Sequence, residues 1–434
     1  MKATSPFILT ALLACGACAP GAPPAAPPPP APLDTAAAPE TVLPFAGGLA
    51  QADTFSLRTL VPGVRHIYAR DAAGPWAVHV VEVERGVCQP QLRAVKAGPP
   101  LSVRAPTSVL VRDALAGVNA DFFMLPGGTP VGLHAIDGRV LAGPGSRPAF
   151  ASGRAGYAAG VGRIEGAAWH RADSARIDQV NRPLGGGSHQ PPAEALTLFT
   201  IWGDSLPATG GPAATVVLGL LEGDEAAGRG TVIAVWPELV GLYVRPGEVA
   251  LRARGPAAAW LTRRELDDTV AWRTAALLED PGAPPLAVEE AVGGFPVLLR
   301  DGAAVLHLAE GVPAGFGPAR HPRTAVAWDT AADRLLLVTV DGRQPGYSVG
   351  MTLQELTALL VRIGATDAIN LDGGGSTAMV VGGRVVNRPS DDVGERSVGN
   401  ALALASCPAV ERPSAGRGHV VDALTLQLIP AVRW

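Results

Sequence analysis

Apolar positions recur at every second residue through much of this chain, in short runs broken by Gly, Pro, Asn and Asp. That period lays alternate side chains on one face of a strand. Trp76-Ala77-Val78-His79-Val80-Val81-Glu82-Val83 predicts a strand, with Gln91 to Lys96 pairing nearby. Thr107 to Leu115 opens as a short helix capped by Thr107 or Ser108. It runs into Gly117-Val118-Asn119-Ala120-Asp121-Phe122-Phe123. Pro130 to Ile136, followed by Asp137-Gly138, carries a hairpin signal. Further strands fall at Leu196 to Trp202, Thr215 to Leu221, Thr231 to Trp236 and Glu248 to Arg252. The polar stretch Thr262 to Thr269 fits a helix.

The pattern sharpens after Ala291. His321 to Trp328 predicts a strand, and Arg334 to Val340 is apolar enough to be buried on both faces. Thr352-Leu353-Gln354-Glu355 is a capping box, and the helix it opens stops at Gly364. An apolar run then leads into Asn370-Leu371-Asp372-Gly373-Gly374-Gly375-Ser376-Thr377, and a second apolar run leaves it. A glycine triplet beside Asp372 would turn consecutive N–H groups toward one concavity, which suits anions. A plain turn between strands is the alternative. Many short strands with two or three helices predict an α+β fold of mixed β-sheets with few helices. Asp341 and Asp372 each close a strand, with the helix between them. Such connections usually set parallel strands side by side, which would bring both carboxylates to one sheet edge.

Composition changes the picture in three ways. The 434 residues, 47% hydrophobic, suffice for one large domain or two ordinary ones. A net charge of -4 gives no basic field for nucleic acid. The amino terminus reads as an export signal, with Lys2 as its charge and Phe7 to Ala14 as an apolar core too short to span a bilayer. Leu12-Leu13-Ala14-Cys15 resembles a bacterial lipobox, which makes Cys15 the lipidation candidate and Cys18 a second one. Plain cleavage near Ala17 or Ala19 is the alternative. The expected organisation is a signal peptide over 1–19, a Pro/Ala-rich linker over 20–50, a domain over 51–410 and a tail over 411–434. The expected setting is the bacterial cell envelope, periplasm or surface, with a lipid anchor in the membrane. Cys88 and Cys407 remain in the body, and an oxidising compartment leaves a disulfide and two buried thiols both open. No Cys/His cluster has zinc spacing.

An ordered set of motifs resembles the phosphodiester glycosidase family. Asn370-Leu371-Asp372-Gly373-Gly374-Gly375-Ser376 is similar to the family's strongest signature. Arg323-Thr324-Ala325, Asp341-Gly342, Pro389-Ser390-Asp391 and Arg396 with Val398 are also similar. Asn119-Ala120-Asp121-Phe122-Phe123 resembles the family's Asn-Ala-Gly-Phe-Phe, with Asp121 where glycine is more common. The resemblance covers residues 105–165 and 285–405, and 166–284 looks like the β-rich insert of bacterial members.

The resemblance implies a single catalytic domain that hydrolyses a sugar-1-phosphate diester at the glycosidic C–O bond, acting on envelope or scavenged glycans. Asp372 and Asp341 are then the carboxylates for nucleophile or general base. Arg323 and Arg343 suit the phosphate, because guanidinium binds its oxygens bidentately. Asn119, Asp121, Thr324, Asn370, Ser376, Thr377 and the amides of Gly373, Gly374 and Gly375 are the further substrate-binding candidates, for phosphate or sugar hydroxyls. Arg396 either joins them or anchors its loop, and His321 and His134 are weaker candidates. No cofactor is assigned; a Ca²⁺ or Mg²⁺ ion held by the oxygens of Asp121, Asp341 and Asp372 is left open, with the ligand set incomplete. Asp341, Asp372, Asn119 and Arg323 are expected to line one pocket. The other class left open is a non-catalytic glycan-binding or exopolysaccharide-assembly lipoprotein, in which Asp121 narrows the site.

Overall fold

Two sheets and a helix form the layers that carry the candidate site. The structure, a computed structural model, describes residues 53–410 apart from 73, 183–194, 205–212, 239–240, 307–312 and 314. The central sheet has eight strands, in the order Thr54–Val61, Val64–Asp71, Trp76–Glu84, Arg334–Val340, Arg323–Asp329, Asp367–Asn370, Val297–Arg300 and Ala303–Ala304. Its neighbours are antiparallel throughout. A five-stranded sheet packs on one face, in the order Arg384–Val385, Met379–Val381, Ala116–Asn119, Ala401–Ser406 and Gln91–Val95.

Alternation explains the layering. Val81, Val83, Leu335 and Leu337 of the central sheet share one core with Val118, Met379, Leu402 and Leu404 of the smaller sheet. Val78, Val80, Leu336 and Val338 point the other way, onto Leu353, Leu356, Leu359 and Leu360 of the Leu353–Arg362 helix. The Arg334–Val340 strand is therefore apolar on both faces. The Thr352 and Glu355 side chains and backbones complete the capping box at the helix start.

The structure corrects three expectations. Asp341 and Asp372 follow strands that point the same way, but those strands are not neighbours. The Arg323–Asp329 strand lies between them and pairs antiparallel with both. The helical connection thus skips one position, and the start of the inserted strand reaches the rim between the two carboxylates. The helix at Thr107 is one turn, Thr107–Leu110, with no side-chain cap. The Ser108 amide and hydroxyl both donate to Glu395 instead. The helix expected over Thr262 to Thr269 lies earlier, at Pro256–Thr262, where a proline suits the first turn.

The described strands within 166–284 lie in a thirteen-stranded sheet, with a core that includes Leu198, Val216, Leu251, Trp260 and Trp272. The same sheet contains Pro148–Gly153 and Glu290–Gly293, so the β-rich region is continuous with the rest. The Gly156–His170 strand runs through position 166 without a break. The sheet is antiparallel except where Gln179–Val180 meets Leu196–Phe199. Mixed sheets and few helices are therefore the architecture, with three α-helices among the described residues. None of them is long and apolar enough to cross a membrane. The signal segment, Cys15, the linker and the tail lie outside the described residues.

Cys88 and Cys407 form a disulfide across 319 residues of sequence. A bridge over so long a loop restricts the unfolded chain. Replacing both cysteines by serine is expected to cost about 2–5 kcal/mol. The check is a melting curve with and without reductant. Identical curves for the parent and the double variant would mean that the bridge contributes nothing.

Candidate functional site

The site forms where the chain crosses from one sheet to the other. Asp367–Asn370 belongs to the central sheet and Met379–Val381 to the smaller one, so the glycine loop bridges the two. Asn370 ends the first strand, and its amide donates to the carbonyls of Phe295 and Leu371, both at 2.7 Å. The Leu371 N–H still donates to Thr324 of the central sheet, at 2.8 Å. One residue later, the Asp372 N–H donates to Ala120, beyond the end of a strand of the smaller sheet, at 2.8 Å. Asn119 locks the crossing. Its Nδ2 donates to the Asp372 carbonyl at 2.6 Å, and its Oδ1 accepts from Thr324 Oγ1 at 2.8 Å and Ala378 N–H at 3.1 Å. Asn119, Thr324 and Asn370 are fully buried; Asn119, Thr324 and the Asn370 Nδ2 are spent on this frame, and Asn370 Oδ1 has no partner among the described residues.

The glycine loop does not form the anion nest expected of it. Gly373 N–H donates to Asp372 Oδ1 at 3.0 Å, and Gly374 N–H to Pro322 at 2.9 Å. The Ser376 and Thr377 amides close a 3-10 turn over Gly374–Ser376. The N–H groups of Gly373, Gly374, Ser376 and Thr377 are thereby bonded within the protein. Glycine is needed at 374 for φ +63, and at 375 because a Cβ there would stand 2.0 Å from Asp391 Oδ1 and 2.3 Å from an Arg396 nitrogen. What the loop presents is the half-buried Asp372 carboxyl, with the buried Ser376 and Thr377 behind it.

Asp341 sits at the same rim but is fully buried. Its Oδ1 accepts from Asn387 Nδ2 at 2.9 Å, its Oδ2 from Tyr347 Oη at 3.1 Å, and both oxygens from Arg388 N–H. Those donors account for the carboxylate, so Asp341 fixes the 387–388 turn rather than facing a ligand. Asp341, Asp121 and Asp372 do not converge on a cation. Among the described residues, no group of three or more His, Cys, Asp or Glu is arranged to hold a metal ion.

The arginines divide by exposure. Arg323 is 1% exposed and donates to Met351, Phe316 and Ala319 carbonyls at 2.8–2.9 Å, so it clamps backbone instead of standing free for phosphate. Arg343 is exposed, with φ +60, and lies over Gly374 with a nitrogen 3.3 Å from His321 Nδ1. Arg396 pairs bidentately with Asp391 at 2.8 and 3.1 Å and packs on Gly375. Arg147 was not singled out by sequence. Its guanidinium lies 5.3 Å from the Phe122 ring centre and 5.2 Å from that of Phe295. Its charge reaches both Asp372 and Asp121. The only signal in the sequence is a single cation within Gly145-Ser146-Arg147-Pro148. His134 is fully buried against Asn400, at 3.1 Å, and faces no cleft of this site.

Burial dominates the electrostatics. It pushes the Asp372 carboxyl up to about 6, against the opposing pull of Ser376, the Gly373 N–H, Arg396 and Arg147. Asp121 is pushed up to about 7 by burial and by the charge of Asp372, opposed by the Gly132 N–H, Arg182 and Arg147. Asp341 is raised by burial and held back by its donors. The result is the half-buried Asp372 on the glycine loop, with the charges of Arg147 and Arg396 acting on its carboxyl and Arg343 over Gly374.

Such an arrangement of a carboxyl among arginines suits an anionic ligand. Residues 223–405 match the phosphodiester glycosidase family. The match takes in the glycine loop, Asp341 and Arg396, whereas Asn119, Asp121 and Arg147 lie outside it. An exported protein from Burkholderia pseudomallei K96243 is 28% identical and superposes with a TM-score of 0.59, over 77% of this chain and 74% of that one. A hypothetical protein from Synechocystis is 22% identical with a TM-score of 0.62, over 82% of this chain and 64% of that one, which shows a shared fold. The SPbeta prophage-derived protein YomE of Bacillus subtilis is 36% identical over 85 residues, 20% of this chain and 13% of its own length. The chain thus spans less than two thirds of the latter two relatives.

Proposed function

We propose that this protein hydrolyses the glycosidic bond of sugar-1-phosphate diesters in envelope or scavenged glycans, as an exported and lipid-anchored phosphodiester glycosidase. The observation that carries the reading is Asp372, half-buried, held at its backbone by Asn119 and Ala120, with the charges of Arg396 and Arg147 acting on its carboxyl. The family match supports the reaction class. Likeness to a protein described as exported supports the setting.

In this reaction the anomeric C–O bond breaks, the phosphomonoester leaves with the oxygen, and water supplies the new sugar hydroxyl. Asp372 acts as nucleophile or general base at the anomeric carbon. Arg343 and Arg147 stabilise the departing phosphate, and the aromatic rings of Phe122 and Phe295 hold Arg147 in place. Asn119, Thr324, Asn370 and Arg323 build the frame, and Asp341 builds the adjoining turn.

The test is incubation of the purified protein with alkyl or aryl diesters of sugar-1-phosphates in ¹⁸O-labelled water. Label in the freed sugar is expected. Label in the phosphate would mean P–O cleavage and overturn the reading. Glycan binding without hydrolysis across the diesters would favour the non-catalytic alternative.

A further inference from the structure

We propose that Arg70 and Arg388 form a second phosphate subsite beside Arg343, so that the substrate is a polymer with phosphodiesters in series. The inference deepens the glycosidase reading and rests on it for the roles of Asp372 and Arg343. Arg70 and Arg388 hold a phosphate farther along the polymer than the one that leaves.

A chain of contacts runs from the glycine loop to this pair. A Cβ at Gly374 would lie 2.9 Å from an Arg343 nitrogen, and an Arg343 nitrogen lies 3.3 Å from His321 Nδ1. The next residue, Gln344, donates from Nε2 to the Arg388 carbonyl at 2.8 Å. The Arg388 guanidinium carbon stands 5.3 Å from the centre of the Tyr347 ring, and that of Arg70 stands 5.6 Å from the same centre.

Asp341 supports all three arginines. Arg343 follows it by two residues, the Arg388 N–H donates to its carboxylate, and Tyr347 Oη donates to its Oδ2. Its own N–H donates to the carbonyl of Ala77, the residue that pairs with Arg70 across the neighbouring strands. The arginines therefore stand on backbone that the buried carboxylate fixes, at the rim that also carries Asp372.

The guanidinium groups keep donors to spare. Each has five N–H donors. Arg70 uses one on the Gly346 carbonyl, at 2.7 Å, and the Arg388 guanidinium uses none on a described residue. Arg182 and Arg323, by contrast, are buried and spend theirs on backbone carbonyls. Arg70 is half-buried, and Arg343 and Arg388 are exposed. Neither Arg70 nor Arg388 makes an ion pair with a carboxylate among the described residues. Asp341 feels the charge of Arg388, but its oxygens are already held by Asn387, Tyr347 and the Arg388 N–H. Two cations on one ring repel each other, and a phosphate that accepts from both relieves that repulsion. A lone diester has a single phosphate, which Arg343 and Arg147 take in the proposed reaction. A second cationic subsite fits a substrate with a second phosphate, such as a glycan or polyol polymer joined by phosphodiesters.

The experiment is calorimetric binding of dimethyl phosphate and of a synthetic oligo(glycerol phosphate) to the full chain at several salt concentrations. Neither probe has a glycosidic bond, so binding is read apart from hydrolysis. The oligomer is expected to bind at least about 10-fold tighter, with an affinity that falls more steeply as salt rises. Arg70→Ser combined with Arg388→Ser is expected to remove most of that advantage. Arg171→Ser combined with Arg245→Ser, the same loss of exposed charge in the β-rich region, is expected to keep it. Arg388→Ser alone leaves its N–H on Asp341, and it is expected to shrink the advantage even if the double variant fails to fold. Equal affinity for the two probes, or an advantage that survives in the folded Arg70 and Arg388 variants, overturns the subsite. So does an equal loss in the Arg171 and Arg245 variant, which would mean general charge attraction. An advantage without hydrolysis of sugar-1-phosphate diesters keeps the subsite and sinks the glycosidase reading, and hydrolysis without the advantage does the reverse.

Discussion

Replacing Asp372 by asparagine is expected to lower turnover of a sugar-1-phosphate diester by about 100-fold or more while the fold survives. Asparagine matches aspartate in size and can still accept the Gly373 N–H through its remaining oxygen. The ties at the Asp372 backbone, to Ala120 and Asn119, do not involve the carboxyl. What is lost is the charge, and with it the nucleophile or base.

Stability should move the other way. The folded carboxyl keeps its proton to about 6, whereas an unfolded aspartate releases it near ~3.9. Folding therefore takes up a proton between those values, and stability falls as pH rises through that window. Above it, the buried charge is a standing cost that asparagine removes. Partial exposure reduces that cost, so a gain on the order of 1 kcal/mol is expected at pH 7 and above. For the parent, turnover should climb as pH rises through about 6, where Asp372 ionises. Turnover and melting temperature on one preparation decide the matter. Retained turnover with a lower melting temperature would make Asp372 a turn cap and not the reacting carboxyl.

The elements were legible in the sequence wherever period and punctuation agreed. The Trp76–Glu84 and Arg334–Val340 strands, the capping box at Thr352 and the stop at Gly364 follow from local chemistry alone. Strand order was not legible, because pairing depends on distant segments. Nothing near Asp367 in sequence says that Arg323–Asp329 will slip between it and Arg334–Val340. The site was legible as a set of residues but not as a set of roles. Asn119, Arg323 and Asp341 carry the polar groups that substrate binding would use, and the fold spends those groups on itself. A sequence shows which donors exist but not which carbonyls already hold them. Arg147 is the converse case, since its place between two rings depends on Phe122 and Phe295 meeting from separate segments.

The same change made at Asp341 should have the opposite signature. The groups hydrogen-bonded to that carboxylate are donors: Asn387 Nδ2, Arg388 N–H and Tyr347 Oη. Asparagine would keep one acceptor oxygen and turn an NH₂ toward donors already in place. Alanine would remove the shared acceptor of all three at a fully buried position, leaving Asn387 Nδ2 only its bond to Thr377. Stranding a buried donor costs about 1–3 kcal/mol, and dismantling a buried charged cluster about 3–5 kcal/mol. Asp341→Asn is accordingly expected to lose about 2–3 kcal/mol, and Asp341→Ala about 3–5 kcal/mol, in urea unfolding. The damage should centre on the turn at Asn387 and Arg388. Asn387 also donates to the Thr377 carbonyl and accepts from the Met379 N–H, so that turn supports the exit of the glycine loop. Turnover would then fall in step with the folded fraction as urea is added, and the residual folded enzyme would keep much of its rate. An Asp341→Asn protein that unfolds at the parent's urea midpoint yet has lost turnover about 100-fold would restore Asp341 to the reacting groups.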